Sequence, residues 1–274
     1  MKLRIAVYCV LGGFAMSIIA LGAGHFVSWW LSGVVLAAAF VPVALFGPRR
    51  FFGQIGVVLP ALFIVSVLCT WSEAYLFVAT PEMKEHAMRD LVGELVTYLI
   101  IGTVLAGLAV VLKLGHESAH PVTLRRPGSL VTMVAAAGLI YVAFYLVTGS
   151  ITYQFFTKQY YPDAQKMVAP LGIWFWVIQF SRGVLMTMAV LPIICTLRMS
   201  RMNAAIAVGM LVWTAGGLAL LIPPNSFMGP AQRVIHTVEI LTQNFPLGFL
   251  ATLLMRPKVI SSAVGRMPTA ALRA

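Results

Sequence analysis

Eight apolar segments divided by short polar loops make up almost the whole chain: Ile5–Leu21, Phe26–Phe46, Ile55–Val78, Leu91–Leu112, Leu130–Val147, Ile173–Leu197, Ala204–Ile222 and Val234–Met255. Each is close to the length that a bilayer core demands of a helix, about 20 residues. Backbone amides in hydrocarbon must find partners within their own segment, so the segments predict helices. No alternating ten-residue pattern points to a barrel. The expected architecture is all-α: one eight-helix transmembrane domain over residues 1–258, then a short basic tail over 259–274.

Composition sharpens this picture. The chain is 60% hydrophobic and only 10% charged, with a net charge of +11. With the N-terminus cytoplasmic, thirteen Lys and Arg residues fall on the cytoplasmic side and five on the other, and Arg182 lies within a span. That asymmetry predicts a multi-pass protein of a cell inner membrane with both termini cytoplasmic. The bilayer is then the partner of the positive charge, and nucleic acid is not expected. The first segment also has the basic start and small-residue end of a signal peptide, but its length and the second span close behind it predict an uncleaved helix. Cys9, Cys69 and Cys195 lie in or beside apolar segments without paired spacing and predict packing residues rather than a disulfide framework.

Two sets of residues recur in step. Gly33, Val34, Ala39 and Pro42 of the second segment match Gly183, Val184, Ala189 and Pro192 of the sixth. Glu94, Thr97, Leu105, Ala106 and Leu108 of the fourth match Glu239, Thr242, Leu250, Ala251 and Leu253 of the eighth. Such spacing suggests four helices repeated once, related by an axis along the membrane normal.

The candidate chemistry lies in polar residues within these segments. Gln232, His236, Glu239 and Gln243 fall on one face of the eighth helix. At about 1.5 Å of rise per residue, Glu94 lies near the external start of its span, with His236 two to three residues inside the eighth helix. Glu239 then sits roughly 8 Å in from the external end, Glu73 roughly 10 Å and Arg182 roughly 14 Å. A charged group in hydrocarbon normally faces a protein interior or a watery cavity. Arg182 keeps its proton, so it requires a carboxylate or carbonyl partner, and Glu73 and Glu239 are at matching depth. Glu73, Arg182, His236, Glu239 and Gln243 are therefore the expected ligand-binding residues. Arg182 would fix an anionic group, while His236 or Glu239 would handle protons. The ligand class is a small anionic solute or a lipid headgroup. Tyr141, Tyr145 and Thr148 add a stripe at the same depth, Pro60, Pro192 and Pro246 predict bends, and Tyr160 and Tyr161 lie in the longest external loop.

His116, Glu117 and His120 stand in the order H-E-x-x-H and resemble the motif of zinc metallopeptidases, including membrane-embedded ones. The resemblance implies zinc on His116 and His120 with Glu117 as general base. Here Gly115 precedes the motif and Pro121 follows it, and proline disfavours helical geometry at His120. The motif also falls on the side opposite the charged stripe. A membrane-embedded zinc hydrolase is thus the alternative reading, and a non-catalytic assembly partner is the third. Outside that motif no catalytic set, phosphate loop or nucleophile elbow is recognisable, and no cofactor is expected.

Overall fold

The computed structural model describes residues 1–19, 24–77, 81–115, 122–162, 168–225 and 228–257, so the predicted basic tail and the His116–His120 motif lie outside the described residues. The regular elements are helices throughout, with no strand among the described residues. They are α1 (Lys2–Ile19), α2 (Phe26–Phe46), α3 (Phe51–Ala61), α4 (Thr70–Phe77), α5 (Pro81–Val111), α6 (Pro127–Thr152), α7 (Ile173–Thr196), α8 (Arg201–Trp213), α9 (Ala219–Leu221) and α10 (Pro230–Met255). A π-helical stretch, Leu62–Cys69, joins α3 to α4 without a break, and a second, Thr214–Leu218, joins α8 to α9.

Among the described residues, seven continuous stretches are long and apolar enough to cross a membrane: Phe26–Phe46, Phe51–Leu76, Glu85–Val111, Pro127–Thr157, Ile173–Thr196, Arg201–Leu221 and Pro230–Met255. Helix α1 corresponds to the first predicted segment and packs along α2 and α5. Large apolar side chains such as Leu139, Val147, Ile173 and Trp174 face outward. The arrangement fits a polytopic membrane protein, whose solvent on that surface is lipid.

Local chemistry sets the helix ends. Proline occupies the first turn of α6 and of α10, where no amide donor is needed. Ahead of α10, Gln232 Oε1 accepts the Gly229 N–H at 2.7 Å. Ser200 Oγ accepts from the Asn203 N–H at 3.3 Å and caps α8. Of the three prolines expected to bend their helices, Pro60 is followed by the first π-helical stretch, whereas Pro192 and Pro246 sit inside uninterrupted α-helices. Two boundaries are also longer than hydropathy suggests. Helix α5 starts at Pro81 within the predicted external loop, and α6 is extended by a π-helical turn over Tyr153–Thr157.

Glycines bring the helices together, as is usual where lipid removes any hydrophobic drive for helix association. A Cβ on Gly33 would stand 2.9 Å from the Cα of Gly13 and 2.7 Å from Met16, which seats α2 on α1. A Cβ on Gly183 would stand 3.0 Å from the Cα of Gly138 and 2.6 Å from Tyr141, which seats α7 on α6 in the same manner. Gly33 and Gly183 are 150 residues apart. Two further contacts tie α2 to α9 and the first π-helical stretch to α7. Ser32 Oγ donates to the Ala219 carbonyl at 2.5 Å, and Cys69 Sγ lies 4.0 Å from the Arg182 carbonyl.

Gly248 and Gly56 make opposite predictions. A Cβ on Gly248 would meet the Val208 carbonyl at 2.7 Å and Gly209 at 3.0 Å, whereas one on Gly56 meets nothing within 4 Å. Gly248→Ala is expected to lower the melting temperature of the purified protein by separating α10 from α8. Gly56→Ala should leave it unchanged or raise it, since alanine favours a helix interior over glycine by up to about 1 kcal/mol.

Candidate functional site

The polar residues gather where α4 ends and α7 and α10 begin, around the last turns of α6. Helix α7 is apolar on its outer faces, but Gln179 and Arg182, one turn apart, both point into the bundle. Arg182 is 7% exposed and Gln179 fully buried. The Arg182 Nη2 donates to Glu73 Oε2 at 2.5 Å, and its Nη1 donates to Gln179 Oε1 at 2.7 Å. Tyr145 donates its hydroxyl to the other oxygen of Glu73 at 3.2 Å. The guanidinium carbon lies 5.7 Å from the Tyr141 ring centre and 5.9 Å from that of Tyr145. A charge taken out of water thus meets a carboxylate, an amide oxygen and two π-faces. The Glu73 side chain remains 37% exposed, so one flank of the pair opens outward.

A second polar group sits beside the first on α10. His236 Nδ1 and Glu239 Oε2 are 2.8 Å apart, and Gln243 Nε2 donates to Glu239 Oε1 at 3.4 Å. Helix α6 makes room for them at Gly149, where a Cβ would stand 3.7 Å from Glu239 Oε1 and 3.9 Å from Gln243 Nε2. Tyr141 and Tyr145, whose ring centres are 5.9 Å apart, flank the Arg182 guanidinium on the α6 side that also carries Gly149. The Tyr161 ring centre is 5.9 Å from that of His236. Burial raises the Tyr161 phenol above its ordinary value, and the Glu239 carboxylate adds to the rise.

Arg182 therefore meets Glu73, while Glu239 is taken up by His236 and Gln243. Glu94 is exposed on α5 and joins neither group. The count of residues along the span set it beside them, but its side chain is exposed. Gln232 serves the start of α10 rather than the cluster. Gly149 and Tyr161 belong to the site although the charge pattern does not mark them. A glycine facing a carboxylate across two helices leaves no signature in a single sequence, and a loop tyrosine has no periodicity to place it.

Unmet hydrogen-bonding capacity is concentrated here. Seven buried side-chain nitrogen and oxygen atoms lack a partner among the described residues, and four belong to this cluster: Gln179 Nε2, Arg182 Nε, His236 Nε2 and the Tyr161 hydroxyl. Native interiors leave few such atoms unpaired, so their clustering points to missing oxygen partners, water or ligand. The described residues bring no three His, Cys, Asp or Glu side chains together as metal ligands.

The ion pair predicts a non-additive response. Glu73→Gln strands the Arg182 charge, at a cost toward or below the lower end of the roughly 3–5 kcal/mol typical of a broken buried pair, because Glu73 is partly exposed. The Arg182→Gln/Glu73→Gln double variant is expected to recover folded yield and melting temperature relative to either single change. Strictly additive losses in that double-mutant cycle would mean that the two charges are energetically independent.

Comparison of the chain with protein-family models, with curated proteins and with solved structures finds no match in any of the three.

Proposed function

We propose that this chain is a multi-pass protein of a cell inner membrane, both termini cytoplasmic, whose outer-half polar cluster binds a small anionic solute or lipid headgroup and passes it across or along the membrane. The observation that carries this reading is the set of unpaired donors beside a buried guanidinium, Arg182 Nε and Gln179 Nε2. Both are N–H groups, so the missing partner is an acceptor, as carboxylate and phosphate oxygens are.

Glu73 already neutralises Arg182, so an anion must displace it or arrive with a proton. Protonation of Glu73 from its open flank removes its hold on the guanidinium and frees Arg182 for the incoming anion. Proton and anion then enter together without net charge, which suits a medium where an uncompensated ion is costly. The His236–Glu239 pair, with Tyr161 across it, is the next proton acceptor along the same face.

The matched contacts at Gly33 and Gly183, and at Ser32–Ala219 and Cys69–Arg182, support a duplication of four helices about an axis along the membrane normal. Two of the three π-helical stretches, Leu62–Cys69 and Thr214–Leu218, also fall in corresponding helices. The charged cluster then occupies one of two equivalent places. The counterpart of Arg182 is Ser32 and that of Glu73 is Pro223. A duplicated bundle with a single charged site is a scaffold whose two halves can move against one another around that site.

Thermal stabilisation of the purified protein by small carboxylates and phosphate, with choline as the cationic control, tests the reading. Wild type is expected to be stabilised by the anions and not by choline. Glu73→Gln, which removes the competing carboxylate and keeps Arg182, should respond more strongly than wild type. The Arg182→Gln/Glu73→Gln double variant should fold without responding; an undiminished response would assign the charges to a purely structural clamp. Orientation is checked separately in a chain freed of its native cysteines. Cysteine in place of Lys158 should label from outside intact cells, and cysteine in place of Arg125 should not.

A further inference from the structure

The opposite end of the bundle carries positive charge that no described acid balances. Arg256 is buried and donates to the carbonyls of Ile194 at 3.0 Å and Met199 at 3.3 Å, and to that of Leu197. Arg201 donates to the carbonyls of Leu253 at 2.7 Å and of Arg256. Arg125 donates to the Leu254 carbonyl at 2.6 Å. These contacts satisfy donors at the ends of α7 and α10 but leave the charges in place, since carbonyls are neutral. The described acidic side chains Glu73, Glu85, Asp90, Glu94 and Glu239 all belong to the other end.

Arg198 stands apart within this collar. Its backbone N–H donates to the Phe46 carbonyl at 2.9 Å, which fixes it between the end of α2 and the start of α8. Its guanidinium is exposed and makes no hydrogen bond or ion pair among the described residues. From that point an apolar groove of about 510 Å³ runs between α2 and the α8–α9 helix, lined at the basic end by Met199 and Asn203 and further along by Ala38, Ala39, Ala207 and Met210. Alanines on both facing helices open it. Its lining extends along α8 and the π-helical stretch after it from Asn203 to Leu218, roughly 22 Å at the rise of a helix, which exceeds the depth of one bilayer leaflet, about 15 Å.

We propose that this groove holds one acyl chain of an anionic phospholipid of the adjoining leaflet, with its phosphate at Arg198 and under the field of Arg201 and Arg256. The arginines supply a positive potential at the headgroup level and the groove supplies apolar walls for the chain below it, so one molecule answers both features. A second copy of the protein docked symmetrically on the same face would bring an equally basic collar against this one, which charge disfavours. The site is separate from the cluster around Arg182, so its test does not depend on the function proposed there.

The test uses full-length protein in bilayer discs of equal phosphatidylglycerol and phosphatidylcholine, extracted into mild detergent, with retained lipid measured by native mass spectrometry. Wild type is expected to retain phosphatidylglycerol in preference to phosphatidylcholine. Arg198→Gln should lower that preference ~5-fold, as the loss of one surface arginine implies. Ala207→Phe, or Ala39→Leu should the first fail to fold, fills the groove and should abolish retention of either lipid. Undiminished preference in Arg198→Gln, or retention unchanged by the filled groove, would overturn the proposal. So would disulfide cross-linking between copies through cysteines placed at Ala39, since it would put a second chain in the groove.

Discussion

A guanidinium keeps its proton even where water is scarce, and the placement of helices around Arg182 follows from that constraint. The charge needs a carboxylate, so α4 must end beside α7. Glu73 reaches Arg182 while Tyr145, from α6, holds the other carboxylate oxygen. Helix α6 therefore has to lie close against α7, and the contact between Gly138 and Gly183 permits it. One buried charge thus relates three helices, and α10 joins them through the polar face that Gly149 accommodates.

Buried ion pairs often add little net stability over well-packed apolar residues of similar size. What Arg182 contributes is more readily understood as selection among arrangements. Nearly uniform apolar helices can rotate or slide past one another at small cost in lipid, because most of their faces are equivalent. A charge that must find one particular carboxylate removes that freedom. The same residue that fixes the register also leaves Nε unpaired, as does its neighbour Gln179 at Nε2. Register and binding capacity are therefore properties of the same few atoms, which is why disturbing the pair should affect both.

Much of this was legible in the sequence, and the boundary of legibility has a physical cause. Lipid forces backbone hydrogen bonds into helices, so hydropathy and length predict the class of fold. Helical rise converts residue number into depth, which placed Glu73, Arg182 and the His236–Glu239 pair in one band. Depth is a single coordinate, however, and rotation about each helix axis is the other. Glu94 was counted into the same band yet is exposed, and residue number along α5 does not specify its rotation. For the same reason the sequence could not choose between Glu73 and Glu239 as the partner of Arg182. The π-helical stretches are matters of backbone hydrogen bonding that no residue pattern announced.

The two ends of the bundle treat positive charge differently, and the difference is informative about each. At the end that holds Glu73, the buried cation is matched by an anion of the protein itself, so on the proposed reading an incoming anion has to exchange with that carboxylate. At the end that holds Arg256, three guanidinium groups are satisfied as donors by carbonyls at helix C-termini, whose dipoles favour cations there without cancelling them. Hydrogen-bond satisfaction and charge neutralisation are separate requirements, and among the described residues only the first is met. The residual field needs no exchange and no proton. On the proposal made above, that field draws the lipid phosphate that a membrane surface holds in permanent supply.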